Sequence, residues 1–155
     1  MTAFQDIYDR FLGKITDDMY VEWTKEDTIK DLKNILIDAI PGFEFPRFAL
    51  YDYDLNNETY NIDLTSEEIN ILAILMLNAW LLRQIASIEN TRMKYSGADF
   101  KMTSQANHLA KLQTFKEKME ERDLHYQRLY KRRKLDDSGK IKSNWSSIME
   151  KSALE

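Results

Sequence analysis

Between Ile69 and Leu82 the chain is apolar around the whole circumference of a helix, interrupted by Asn70 and Asn78 and closed by Arg83-Gln84. A helix wet on one face shows a stripe and not a full sleeve, so Ile69, Ile71, Leu72, Ile74, Leu75, Met76, Leu77, Trp80, Leu81 and Leu82 must be covered by other helices or by another subunit. Ile71, Leu75 and Trp80 are accordingly candidates for core or oligomer contacts. The helix start is written in Thr65-Ser66-Glu67-Glu68, a capping box in which residues three apart satisfy each other's backbone N–H groups. Ser96-Gly97 supplies the stop, so the sequence predicts a helix over about 66–95. The apolar run falls short of the roughly 20 residues that span a bilayer, and it reads as a buried helix with no membrane role.

The flanking segments supply possible cover. Phe4, Ile7, Tyr8, Phe11 and Leu12 fall on one face of a short helix ending near Gly13. Thr24 precedes Lys25-Glu26-Asp27, a capped start with acids in the first turn, and Ile29, Leu32, Ile35, Leu36, Ala39 and Ile40 follow at helical spacing until Pro41-Gly42. Over 43–64 the period changes. Phe48, Leu50, Tyr51 and Tyr53 precede an Asp/Asn-rich stretch, and Tyr60, Ile62 and Leu64 alternate with polar residues, which predicts a small β-hairpin over about 48–63. A second long helix is predicted over about 104–135, with Ala106, Leu109, Leu112, Phe115, Met119, Tyr126 and Leu129 on one face and Asp136-Asp137-Ser138-Gly139 as its break. The expected fold is mainly α: a small helical bundle with two long helices, shorter N-terminal helices and the hairpin. It forms one domain over 1–135 with the hairpin as an insertion at 43–64, followed by a C-terminal arm over 136–155. In that arm Trp145, Ile148 and Met149 stand at i, i+3, i+4, a face suited to docking on a partner or on its own domain.

Chemistry-bearing patterns are sparse. The chain has 155 residues with no cysteine, so it holds no disulfide, thiol nucleophile or thiolate metal site. Four glycines provide neither a Walker loop nor a dinucleotide fingerprint, and no nucleophile elbow is present. His108 and His125 stand 17 residues apart on one predicted helix, about 25 Å, too far to share a metal within a chain. Asp52, Asp54, Asn56 and Asp63 partly follow the alternating oxygen ligands of a calcium loop, with Asn57 where glycine is usual. Asn57 tolerates the left-handed conformation that such a turn needs, but aromatic strands instead of helices flank the loop, which favours a plain Asx-rich hairpin turn. Arg128, Lys131, Arg132, Arg133 and Lys134, interleaved with Tyr126 and Tyr130, form a basic patch that could neutralise phosphates or simply complement the helix C-terminus. No enzymatic activity and no cofactor are expected. Charge is polarised: residues 1–65 carry eight more acids than bases, and residues 66–155 four more bases than acids, which suits head-to-tail pairing of copies. The N-terminus lacks a basic start followed by an apolar run, and predicts a product made in the cytoplasm.

One set of segments resembles a known family. Tyr8-Asp9-Arg10-Phe11-Leu12-Gly13-Lys14-Ile15, Tyr60-Asn61-Ile62-Asp63-Leu64-Thr65-x-Glu67-Glu68-Ile69, Ile71-Leu72-Ala73-x-Leu75-Met76, Trp80-Leu81, Gln84-Ile85 and Asp99-Phe100-Lys101-Met102-x-Ser104-x-Ala106-Asn107-His108-Leu109 occur in an order and spacing similar to the neck proteins of tailed phages of Gram-positive hosts. These are the head-tail connector or head-completion adaptors below the portal. The resemblance covers about residues 4–130 and contains no catalytic signature.

It implies a non-enzymatic homo-oligomeric ring, commonly of twelve copies, in the neck of the virion. Such a ring is docked on the portal protein, joined to a downstream neck or tail-completion protein, and crossed by genomic DNA without sequence-specific binding. It also implies a C-terminal arm that engages the portal, which would give Trp145, Ile148 and Met149 their partner, and it makes Asp99–Leu109 a joint between helices. The acidic N-terminal half would then line a channel that DNA passes without sticking. Two other readings compete: a helical nucleic-acid-binding module using 128–134, and a small metal-dependent enzyme using Asp52, Asp54 and Asp63.

Overall fold

The computed structural model describes residues 1–15, 19–94, 103–135 and 141–142. Helix α1 (Phe4–Leu12) is followed by the short α2 (Met19–Glu22), by α3 (Lys25–Ala39) with a 3-10 turn over Ile40–Gly42, and by the long α4 (Ser66–Lys94) and α5 (Thr103–Arg132). Five two-residue strands complete the described elements: β1 (Thr2–Ala3), β2 (Tyr53–Asp54), β3 (Thr59–Tyr60), β4 (Lys134–Leu135) and β5 (Ile141–Lys142). The mainly α architecture with two long helices matches the sequence expectation.

Helix α4 is the axis of the molecule, with α1, α3 and α5 packed around it. Its capping box forms as written: Glu68 Oε2 accepts from the Thr65 N–H at 2.7 Å and from the Thr65 hydroxyl at 3.0 Å, and Thr65 Oγ1 accepts the Glu68 N–H at 3.5 Å. Ile71, Leu72, Ala73, Ile74, Leu75, Met76, Leu77, Leu81 and Ile85 are all buried. The sleeve is therefore covered mostly inside one chain, by three helices. Leu82 is the exception at 57 % exposed. The stretch Ser66–Thr91 is by length and composition apolar enough to cross a membrane, longer than the Ile69–Leu82 run suggested; the same apolar side chains are the ones packed against α1, α3 and α5.

The neighbours dock by the faces their spacing predicts. Phe4, Ile7, Tyr8 and Phe11 of α1, and Leu32, Ile35, Leu36 and Ala39 of α3, are buried. Helix α3 is capped by Thr24, whose side chain accepts the Asp27 N–H at 3.2 Å. At the end of α3, Gly42 lies so close to α4 that a Cβ there would meet Leu75 Cδ2 at 2.8 Å, which restricts this corner to glycine without repacking.

The hairpin is three-stranded, in the order β1-β3-β2, with Thr2 opposite Tyr60 and Tyr53 opposite the same Tyr60. Strand β1 is a third edge that two residues cannot announce in a sequence. It solves the start of α1: Ala3 offers no side-chain cap, and the Phe4 N–H bonds instead to the Glu58 carbonyl at 2.8 Å. Phe4 meets the rings of Tyr8, Tyr53 and Tyr60 at 6.3, 6.0 and 5.1 Å, fastening the sheet onto α1.

Helix α5 ends at Arg132, three residues before the expected 135. The Arg133 N–H still bonds back to the carbonyls of Leu129 and Tyr130, but Lys134 and Leu135 then pair antiparallel with Lys142 and Ile141. Residues 143–155 lie outside the described residues, and with them Trp145, Ile148 and Met149; so do Asp99–Met102 of the joint.

Candidate functional site

The basic patch is the first candidate, and the structure divides it. Arg133 pairs with Glu67 at 2.6 Å and its carbonyl accepts Arg47 Nη2 at 2.8 Å. Lys131 lies over the Phe45 ring, 3.7 Å from its centroid. Among the described residues, Arg128 and Arg132 alone of the patch's placed side chains stay exposed without a partner; the Lys134 side chain is outside the described set. Tyr130, taken from the sequence as an aromatic interleaved in a binding surface, is instead fully buried. Its hydroxyl donates to Glu68 Oε1 at 2.5 Å and accepts the Arg47 N–H at 3.0 Å, while the Arg47 guanidinium stacks 3.9 Å above its ring.

One turn earlier on α5, Gln127 closes the same network. Its Nε2 donates to the Gly42 carbonyl at 3.1 Å and to Asp123 Oδ2 at 2.7 Å, and its Oε1 accepts the Glu44 N–H at 2.8 Å. Asp123 Oδ1 is buried without a partner. Burial pushes the Asp123 carboxyl up to about 6, Glu44 nearby adds to the rise, and the Gln127 hydrogen bond opposes it. Arg47, Gln127 and Asp123 were not singled out by the sequence, because their partners lie more than eighty residues away for the first two and only depth distinguishes the third.

The proposed calcium ligands do not converge. Asp54 accepts the Asn56 and Asn57 N–H groups at 2.8 and 3.2 Å and the Asn57 amide at 2.7 Å, an Asx turn that holds its carboxyl below the usual range. Asp52 accepts Asn61 Nδ2 at 2.6 Å, and Asp63 takes the Met1 ammonium. Among the described residues no three His, Asp or Glu side chains form a group able to hold a metal. The left-handed residue is Glu58, with φ 53°, and not Asn57; Glu58 is held there by Phe4 on its carbonyl and by Lys33, 2.5 Å from its carboxylate. His108 and His125 are exposed and far apart along α5, as their spacing requires.

Ile71 and Leu75 belong to the core, whereas Trp80 is half-buried with its indole N–H unpartnered. Trp80 lies in the wall of a groove between α4, α5 and the end of α1, formed by two adjoining hollows of about 370 and 240 Å³. Both are lined by Lys14, Leu77 and Phe115. The smaller one adds Ile74, Met119, Asn70, Arg122 and Tyr126.

No family model, no curated protein and no solved structure matches this chain. What the chain offers chemically is thus read from its own surfaces: a buried polar hub, two arginines of the basic patch left without a partner among the described residues, and a groove with apolar walls and a cationic rim.

Proposed function

We propose that the protein is a structural, non-enzymatic component of a tailed-phage neck: a head-tail connector that forms a ring, commonly of twelve copies, beneath the portal. In this role it closes the DNA-filled head, binds a downstream neck or tail-completion protein, and extends the channel along which genomic DNA slides. The observation that supports this reading is where the family-like segments fall. The α1 piece (Tyr8–Ile15) and the α4 pieces (Ile69, Ile71–Met76, Trp80-Leu81) pack on one another, and Lys14 Nζ donates to Asn70 Oδ1 at 3.1 Å across them. The Tyr60–Ile69 piece is the link that carries the hairpin into the α4 cap. Segments sixty residues apart thus form one packing unit.

The test is to mix the protein with its cognate portal, or with packaged tailless heads, and image the product by electron microscopy. A ring below the portal supports the connector; absence of binding overturns it. A second reading, a nucleic-acid-binding module, is favoured by Arg128 and Arg132, which among the described residues stay exposed without a partner at the end of α5. It predicts DNA affinity that falls steeply with salt and drops on replacing that pair.

A further inference from the structure

The groove between α4 and α5 gathers cations from both halves of the chain, Lys14 from the end of α1 and Arg122 from α5. Lys14 and Arg122 sit on its rim with Arg10 nearby, and among the described residues none of the three has a carboxylate within ion-pair distance. The Lys14 ammonium is held below its ordinary range by burial and by repulsion from Arg10 and Arg122. The Tyr126 hydroxyl is pulled down by its hydrogen bond to Arg122 and by the same positive field. Below the rim the walls are apolar, and Phe115 is left 40 % exposed. A surface of this kind fits a chain segment that presents a bulky apolar side chain flanked by carboxylates.

This protein displays such a segment. Around α2 and the start of α3, Val21 is 83 % and Trp23 40 % exposed, and Glu22, Glu26 and Asp27 surround them against Lys25. We infer that the Lys14–Arg122–Phe115 groove of one copy receives the Val21–Asp27 ledge of a second copy. The contact joins different faces, so it is heterologous and repeats into a ring or a filament. A two-fold contact through the groove alone would instead set uncompensated cations against each other. The inference deepens the ring reading and rests on it for closure of the array.

The cysteine-free sequence gives a clean test. Two full-length single-cysteine variants, Val21→Cys and Phe115→Cys, are mixed under oxidising conditions with and without portal, and disulfide-linked pairs are resolved by mass. The expected product is the mixed pair, lost at least tenfold on adding Lys14→Glu/Arg122→Glu to the Phe115→Cys partner. It should be restored in part by Glu22→Lys/Asp27→Lys on the other, with circular dichroism confirming that each variant is folded. Like-with-like pairs only, no mixed pair in either condition, or a mixed pair indifferent to the charge reversals overturns the inference. A portal-bound ring without the mixed pair overturns this contact and leaves the connector standing, whereas failure to bind the portal overturns the connector itself.

Discussion

The Tyr130 hydroxyl makes one buried and one half-buried hydrogen bond beneath a stacked guanidinium, and Glu68 behind it has been taken fully out of water. Replacing Tyr130 by Phe keeps the ring under Arg47 and removes the donor to Glu68, leaving that carboxylate with Thr65 alone. The expected cost is about 1–3 kcal/mol, read as a lower urea midpoint at unchanged slope. Asp123 belongs to the same network with the opposite sign. Its folded carboxyl titrates at about 6, above the unfolded value near 3.9, so the native state holds the proton more tightly. Its contribution to stability is complete below about pH 4 and is lost as pH rises through about 6. Asp123→Asn is therefore expected to flatten the fall in stability between pH 4 and 7, measured by thermal denaturation across that range. Neither residue is distinguishable in the sequence from its neighbours on α5: Tyr126, Tyr130 and the arginines alternate alike, and only the position of the 42–47 loop decides which of them is covered.

Among elements, α4 shows how far local signals reach. Its cap, its apolar sleeve and its approximate end are all legible, because a capping box and a continuous run of Leu, Ile and Met are local facts. Thr65→Ala removes the hydroxyl that accepts the Glu68 N–H and donates to its carboxylate. The expected loss is about 0.5–2 kcal/mol, seen in equilibrium unfolding and as faster amide exchange in the first turn of α4. The errors concern elements too short or too non-local to leave a pattern. Strand β1 is two residues long and exists because β3 pairs with it. The end of α5 is set by β5 returning onto Lys134–Leu135, so a Lys-Leu pair that continues a helical stripe becomes a strand. Glu58 takes a left-handed conformation that nothing local announces, with Lys33 and Phe4, from two other helices, bonded to it there.

On the scale of the whole molecule, the described core runs from Phe4 to Tyr130. Truncation after Lys142 removes none of those described core residues. The same truncation is expected to abolish portal binding in the connector reading, because it removes Trp145, Ile148 and Met149; co-sedimentation with portal measures it.

Composition, capping and the period of the apolar residues determined by themselves that the protein is mainly helical, where four of its five described helices begin or end to within a residue or two, and that α4 is buried. These are properties of contiguous sequence, and helix hydrogen bonds close within four residues. The tertiary structure alone decided what covers α4, which of the C-terminal cations are free, why Asp52, Asp54 and Asp63 each satisfy a separate partner, and where a cationic groove opens. Each of these depends on groups tens of residues apart being brought within a few ångströms, and an amino-acid pattern carries no record of that distance until the helices have packed.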